Sequence, residues 1–298
     1  ASKKIFVQAQ PQNAVQAKKS SSVKWFLVIA AVAGFLFLLF SAAKAVVSLA
    51  APQGNIALIS ISGQIGTGDG FLESPANPDD IIGMIGQAEE DSKVKGMLVE
   101  INSPGGSPVA SEELMKAVKN AKKPTVAVIR DIGTSGAYWA ASAADYVVAS
   151  PVSLTGSVGV TASYLEFSQL LENYGVRYER LVSAEHKDIG SPYRNLTEEE
   201  KTIAQEGLAK MHSYFLSSVK ENRKITDANA IERISTARVF LGSEAKELGL
   251  VDSLGGKEEA EGWLMQQANL TEIKYVTYEK KPLFDFGTLL AEQSAAAG

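Results

Sequence analysis

The apolar positions of this chain change rhythm along its length, and the rhythm predicts its elements. Asn55-Ile-Ala-Leu-Ile-Ser-Ile-Ser62 alternates as a strand does. Pro78 to Asp91 opens with helix N-terminal signals and continues at helical spacing. Val94–Ile101 reads as a buried strand, Ser107–Lys122 as an amphipathic helix and Pro124–Ile129 as another buried strand. An Ala-rich helix then begins near Ser135, and a short strand is expected at Tyr146–Ala149. Further on, the pattern predicts a loop over Leu154–Gly159, a helix over Tyr164–Tyr174 stopped by Gly175, and a strand over Val176–Val182. Thr197-Glu-Glu-Glu200 reads as a capping box for a long helix reaching Asn222. A short helix at Thr226–Ser235, a turn-helix at Gly242–Leu248, a helix at Lys257–Ala268 and a strand at Glu272–Tyr278 complete the pattern. Strands alternating with helices predict an α/β fold with a largely parallel sheet.

The two ends read differently. Residues 1–24 carry Lys3, Lys4, Lys18, Lys19 and Lys24, no acid and no periodicity, which predicts a disordered cytoplasmic segment. Trp25 to Ala43 then runs nineteen residues without a charge. At ~1.5 Å per residue that covers most of a ~30 Å hydrocarbon core. It exceeds the ~7–15 residues of a signal-peptide apolar region. The expectation is a transmembrane helix over 25–48 followed by a linker at 49–54. The lysines before it place the N-terminus in the cytoplasm and the domain that follows, 55–280, outside. Residues 281–298 read as a flexible C-terminal tail.

Composition removes several chemistries. There is no cysteine, which excludes disulfides, thiolate metal sites and a cysteine nucleophile. Two histidines, His186 and His212, rule out a histidine-rich metal centre. A net charge of −5 without a basic patch argues against nucleic acid. No cofactor is called for.

The candidate chemistry lies in three loops that follow predicted strands, where α/β sheets place their sites. Asn102-Ser-Pro-Gly-Gly106 can turn backbone N–H groups toward an anion, or can simply be a glycine turn entering a helix. Ser135 stands where a strand end becomes a helix start, a place suited to a nucleophile that creates an oxyanion and equally to an N-cap. The third loop holds His186 and Lys187. A serine nucleophile needs a base. A lysine, ordinarily near pKa ~10.4, must be desolvated or placed beside another cation to serve. Spacing leaves His186 and Lys187 level; His212, inside the long helix, reads as a packing or surface residue.

Four segments, in this order, resemble the signal peptide peptidase A family of serine proteases. They are Asn102-Ser-Pro-Gly-Gly106, Thr134-Ser-Gly-Ala137 with the helix to Asp145, Thr155-Gly-Ser-Val-Gly-Val160 and His186-Lys-Asp-Ile-Gly-Ser-Pro192. The resemblance covers roughly Asn55 to Tyr278. It implies a Ser-Lys dyad, with Ser135 as nucleophile, Lys187 as general base and Ser157 orienting the amine. It implies an oxyanion hole from the N–H groups of Gly106 and Gly136. The implied fold is the spiral α/β fold of the Clp protease peptidase and the crotonases. Val160 stands where the Clp peptidase carries its histidine. The implied enzyme is a membrane serine endopeptidase of half-length form that degrades remnant signal peptides after signal peptidase has released them, assembled as a homo-oligomeric, octameric ring. A stomatin-operon type of membrane protease and a crotonase-like acyl-CoA enzyme are the alternatives.

Overall fold

The computed structural model describes residues 25, 28–38, 40, 54–67 and 76–278. The chain divides into two units at residues 51 and 52. In the first, Trp25, residues 28–38 and Phe40 are helical and exposed. The rest of the expected 25–48 span, and the expected segments 1–24 and 281–298, lie outside the described residues. Among the described residues no helix is long and apolar enough to cross a membrane.

The second unit is built on an eight-stranded, mostly parallel sheet. Strand β1 (Ile56–Ser62) pairs in parallel with β2 (Gly96–Ser103), and β2 with β3 (Thr125–Thr134). The three are apolar on both faces, as strands buried on both sides must be. In β2, Met97, Val99 and Ile101 join one core while Leu98 joins the other. Helices α1 (Pro78–Glu90), α2 (Pro108–Lys119) and α3 (Gly136–Ser142) contribute Ile81, Ile85, Leu114 and Tyr138 to the first core. Helix α8 (Lys257–Gln267) contributes Ala260 and Leu264 to the second, and its Trp263 stacks on Tyr146 at 5.2 Å.

The decisive irregularity is in β3. Its pairing with β2 passes from Ile101↔Ile129 to Ser103↔Gly133, so two residues of β2 face four of β3. A bulge of this kind bends a strand and re-aims the residues beyond it. The first half of β3 pairs with β4 (Tyr146–Ala149), and the second half with β5 (Leu154–Gly156). Asn102 Oδ1 accepts the freed Ile132 N–H at 3.3 Å. The sheet therefore turns as it reaches Ser135. Antiparallel β6 (Val239–Leu241) closes that edge. A mixed α/β unit with a parallel-rich sheet fits the Clp/crotonase-like expectation.

Three local expectations are corrected. Part of the loop predicted over Leu154–Gly159 is β5, because Gly133 and Thr134 offer it ladder partners. The helix predicted over Tyr164–Tyr174 shrinks to α4 (Ser168–Asn173), which has no buried residue. The predicted strand Val176–Val182 has no ladder; its residues are exposed, Leu181 to 96%. Alternation produces a strand only where another strand is within reach, and residues 161–187 form an exposed arm with only Ser168 and Leu171 half-buried.

The arm returns to the body at α5 (Glu198–Arg223). The capping box is present: Thr197 Oγ1 accepts from Glu200 N at 3.1 Å, and Glu200 Oε2 accepts from Thr197 N at 2.9 Å. Short α6 (Ala228–Ser235), capped by Asp227, leads to β6, then to α7 (Gly242–Glu247), β7 (Ser253–Leu254) and, after α8, β8 (Tyr275–Val276).

Candidate active site

Ser135 occupies the junction between β3 and α3 with φ 53° and ψ −128°. This conformation disfavours every residue with a Cβ, and such strain gathers at functional positions. Two backbone bonds hold it there. Ser135 N–H donates to Gly156 O at 2.8 Å, and Ser135 O accepts from Trp139 N at 2.9 Å. Its hydroxyl makes no cap bond, which removes the simple N-cap reading. The side chain is half-buried and lines a cleft of about 290 Å³.

All seven residues of α3 are buried. Ala137, Ala140 and Ala141 let the helix sink against its neighbours, while Tyr138 anchors it by donating its hydroxyl to Leu250 O at 2.8 Å. Burial raises the Tyr138 phenol well above its ordinary pKa, so it remains a donor. Trp139 stacks on Phe215 of α5 at 4.4 Å and donates Nε1–H to Ser218 Oγ at 2.8 Å. Both rings line the cleft.

The Gly-Gly loop approaches Ser135 from β2. Gly105 has φ 96°. Ile65 N–H donates to Gly105 O and Ser107 N–H to Ile65 O, both at 2.9 Å. That pairing leaves Gly106 N–H outside the ladder. Gly136, the first residue of α3, likewise has no intrahelical acceptor for its N–H. The two glycines are adjacent: a Cβ on Gly136 would lie 3.5 Å from Gly106 N and 1.9 Å from Ser111 Oγ. Ser135, Gly106 and Gly136 thus line one cleft, with two backbone N–H groups beside one hydroxyl. This arrangement suits a nucleophile whose product is an oxyanion.

Ser157 lines the same cleft. It too has positive φ, 52°, and its N–H donates to Arg238 O at 3.0 Å, just beyond the β5–β6 ladder. Ala237, φ 56°, supports Ser157's loop by filling the space a Cβ on Gly159 would need, at 2.4 Å. Val160 lines the cleft as an aliphatic wall.

Lys187 is elsewhere. It sits exposed in the turn at the far end of the arm and does not line the cleft. His186, beside it, lies 3.8 Å from Glu199. His212 is in α5, its Nε2 shielded from solvent without a hydrogen-bond partner among the described residues. No Lys, His, Asp or Glu is among the cleft's described lining residues, so one copy of the described chain brings Ser135, Ser157, Gly106 and Gly136 together without a side chain that could act as a base.

The walls Ser111, Trp139, Phe215 and Ala237 were not singled out by sequence reasoning. Trp139 was visible in the Ala-rich helix as its one indole; the others gave no local signal. Among the described residues no group of three or more His, Cys, Asp or Glu is placed to hold a metal ion.

Comparison with known proteins decides the family. Peptidase family S49 matches residues 117–271, and the match includes Ser135, Gly136, Ser157 and Lys187. A protease-named protein of Methanocaldococcus jannaschii is 35% identical over 223 residues, 73% of this chain and 71% of that protein. The chain belongs to peptidase family S49. Other relatives agree with that membership and with the resemblance to signal peptide peptidase A. A protein of Enterococcus faecium named as a signal peptide peptidase is 32% identical over 76% of this chain and 67% of its own length. Protease 4 of Salmonella typhi is 33% identical over 77% of this chain, which spans only 37% of that protein. The S49 match begins after Gly106, whose place in the site rests on its position beside Gly136.

Proposed function

We propose that this S49 chain is a membrane-anchored serine endopeptidase that uses Ser135 and Lys187 to cut peptides released into or at the membrane. The observation that carries the reading is Ser135 itself, strained at positive φ and facing a cleft shared with Gly106, Gly136 and Ser157. Ser135 Oγ attacks the scissile carbonyl carbon while its proton passes to the Lys187 amine. The oxyanion that forms accepts from the N–H groups of Gly106 and Gly136. Collapse of the tetrahedral species breaks the C–N bond, and the lysine ammonium returns the proton to the departing amine. Water, deprotonated by the same lysine, then hydrolyses the acyl-enzyme. Ser157 Oγ accepts a hydrogen bond from the lysine amine and orients it.

Because no base is among the described residues that line the cleft and Lys187 is exposed on an arm, the dyad is completed between copies. The arm of one subunit delivers Lys187 to the cleft of another. The exposed Leu165, Leu170, Tyr174, Val176 and Leu181 of the arm supply the apolar surface such a contact needs. A closed ring of eight identical subunits satisfies every site by one repeated contact. The charge-free run at 25–43, helical through 28–38, is the proposed anchor, with the N-terminus cytoplasmic and the catalytic unit outside. The name of the Enterococcus relative supports remnant signal peptides as substrate.

The test is a fluorophosphonate probe on the detergent-solubilised full chain. Wild type is expected to be labelled at Ser135, and both Ser135→Ala and Lys187→Ala to remain unlabelled. Wild-type labelling of Ser135→Ala would refute the nucleophile.

A further inference from the structure

A lysine at the end of an exposed arm is a poor base unless its backbone is held. The side chain has four rotatable bonds, and a misplacement of about 1 Å can lower turnover by ~10²-fold. The turn that carries Lys187 is held by an unusual set of ion pairs. Asp188, the next residue, accepts four N–H bonds from two arginines. Arg180 donates Nε and Nη2 at 2.9 and 2.7 Å, and Arg194 donates Nε and Nη2 at 2.9 and 2.8 Å.

Each guanidinium also reaches a second point. Arg180 Nη2 donates to Glu185 O at 2.6 Å, so one arginine grips the turn on both sides of Lys187. Arg194 turns its remaining edge to Glu200, with Nη1 on Oε2 at 2.8 Å and Nη2 on Oε1 at 2.6 Å. Glu200 is buried, 3% exposed, and is the N3 residue of the α5 capping box. A continuous bracket therefore runs Glu185–Arg180–Asp188–Arg194–Glu200–Thr197. It ties the lysine turn to the first turn of α5, the longest helix among the described residues. Both forks of Arg194 are occupied, a geometry that an ammonium cannot reproduce. A solitary surface ion pair contributes little, but a shared network with bidentate geometry restricts motion far more effectively. Phe167 N–H, donating to Pro192 O at 2.7 Å, ties the two limbs of the arm just beside this bracket. The bracket leaves the Lys187 side chain itself exposed and projecting from a fixed base.

We infer that Arg180 and Arg194 are positioning residues for Lys187, fixing through Asp188 and Glu200 the turn that presents the amine. This rests on the reading of Lys187 as the base. Their role is to narrow the positions the amine samples before it meets a serine; they touch no substrate. A bracket that acts on the base lowers kcat and leaves peptide binding at the cleft unaffected, because the cleft walls are separate residues.

The experiment measures kcat and KM of the full-length, assembled protein on one fluorogenic peptide, with a thermal melt of each variant. The variants are Arg180→Gln, Arg194→Gln, Arg194→Lys and Lys187→Ala. Lys119→Ala, which breaks an exposed pair with Glu221 away from the arm, is the control. Arg180→Gln, which spares the capping box, and Arg194→Gln are expected to lower kcat by on the order of 10-fold or more with KM within about twofold. Arg194→Lys should resemble Arg194→Gln rather than wild type, since charge without the fork does not restore the geometry. Arg180→Gln remains informative if Arg194→Gln loosens α5. Wild-type kcat in Arg180→Gln and Arg194→Gln, with Lys187→Ala inactive, overturns the positioning role and leaves the base intact. Activity in Lys187→Ala overturns the base reading instead.

Discussion

Gly105 and Ser135 stand so close that a Cβ on Gly105 would lie 2.9 Å from Ser135 Cβ and 2.7 Å from Gly136 N. The glycine at this point of the loop after β2 is what allows the loop to lie against Ser135. Its φ of 96° adds a second reason, since side chains are strained there. Gly105→Ala is expected to destabilise the fold by on the order of 1–3 kcal/mol. It should also lower turnover by ~10²-fold by pushing the loop from Ser135. Melting and peptide turnover of the purified variant check both.

Ser135 carries backbone strain at the position proposed for the nucleophile. A glycine relaxes φ 53°, whereas an alanine does not. Ser135→Gly should therefore raise stability by about 1 kcal/mol and abolish cleavage. Ser135→Ala should abolish cleavage with stability within ~0.5 kcal/mol of wild type, because the hydroxyl makes no cap bond. Equal melting temperatures for the glycine and alanine variants would contradict the strain.

The bracket on the arm has a pH signature. The Arg194 guanidinium, then the Thr197 backbone N–H, hold the Glu200 carboxyl down at about 2. Arg194 and Arg180 hold Asp188 well below the usual carboxylate range. Carboxylates depressed in the folded state add stability above their unfolded values, ~3.9 for Asp and ~4.3 for Glu, and that stability is lost as pH falls through the folded values. Amides of residues 180–200 should lose protection, corrected for intrinsic exchange, between pH 5 and pH 2.5. Glu200→Gln should show a smaller change over the same interval. An unchanged wild-type protection pattern would remove the bracket from the account.

The legible parts of this chain were those whose determinants are local. The capping box at Thr197 and Glu200, the alternation of β1 and the buried runs of β2 and β3 each depend on neighbours a few residues away; the box and β1 formed as read, while β2 and β3 formed but run on to Ser103 and Thr134, past the expected ends at Ile101 and Ile129. Ser135, Gly106, Gly136 and Ser157 were singled out by motifs far apart in the chain, and all four line one cleft. The failures depend on distant partners. Val176–Val182 has the composition of a strand but no edge to pair with. The bulge in β3 depends on Asn102 of β2, thirty positions earlier. Ala237 at positive φ fits only because Gly159 leaves room for it. The location of Lys187 was the least legible, since sequence spacing does not show that its turn stands exposed and away from the described lining of the Ser135 cleft.

The most direct measurement of the central claim is complementation. Ser135→Ala and Lys187→Ala are each inactive if both residues act in cleavage. Mixed as dissociated subunits and reassembled in equal amounts, they form contacts between an intact serine and an intact lysine at roughly a quarter of the sites, if each site joins two neighbours at random. The account predicts peptide turnover returning to about that fraction of wild type, with each variant alone remaining inactive. No recovery in a mixture shown to co-assemble would contradict it, and would place nucleophile and base within one subunit.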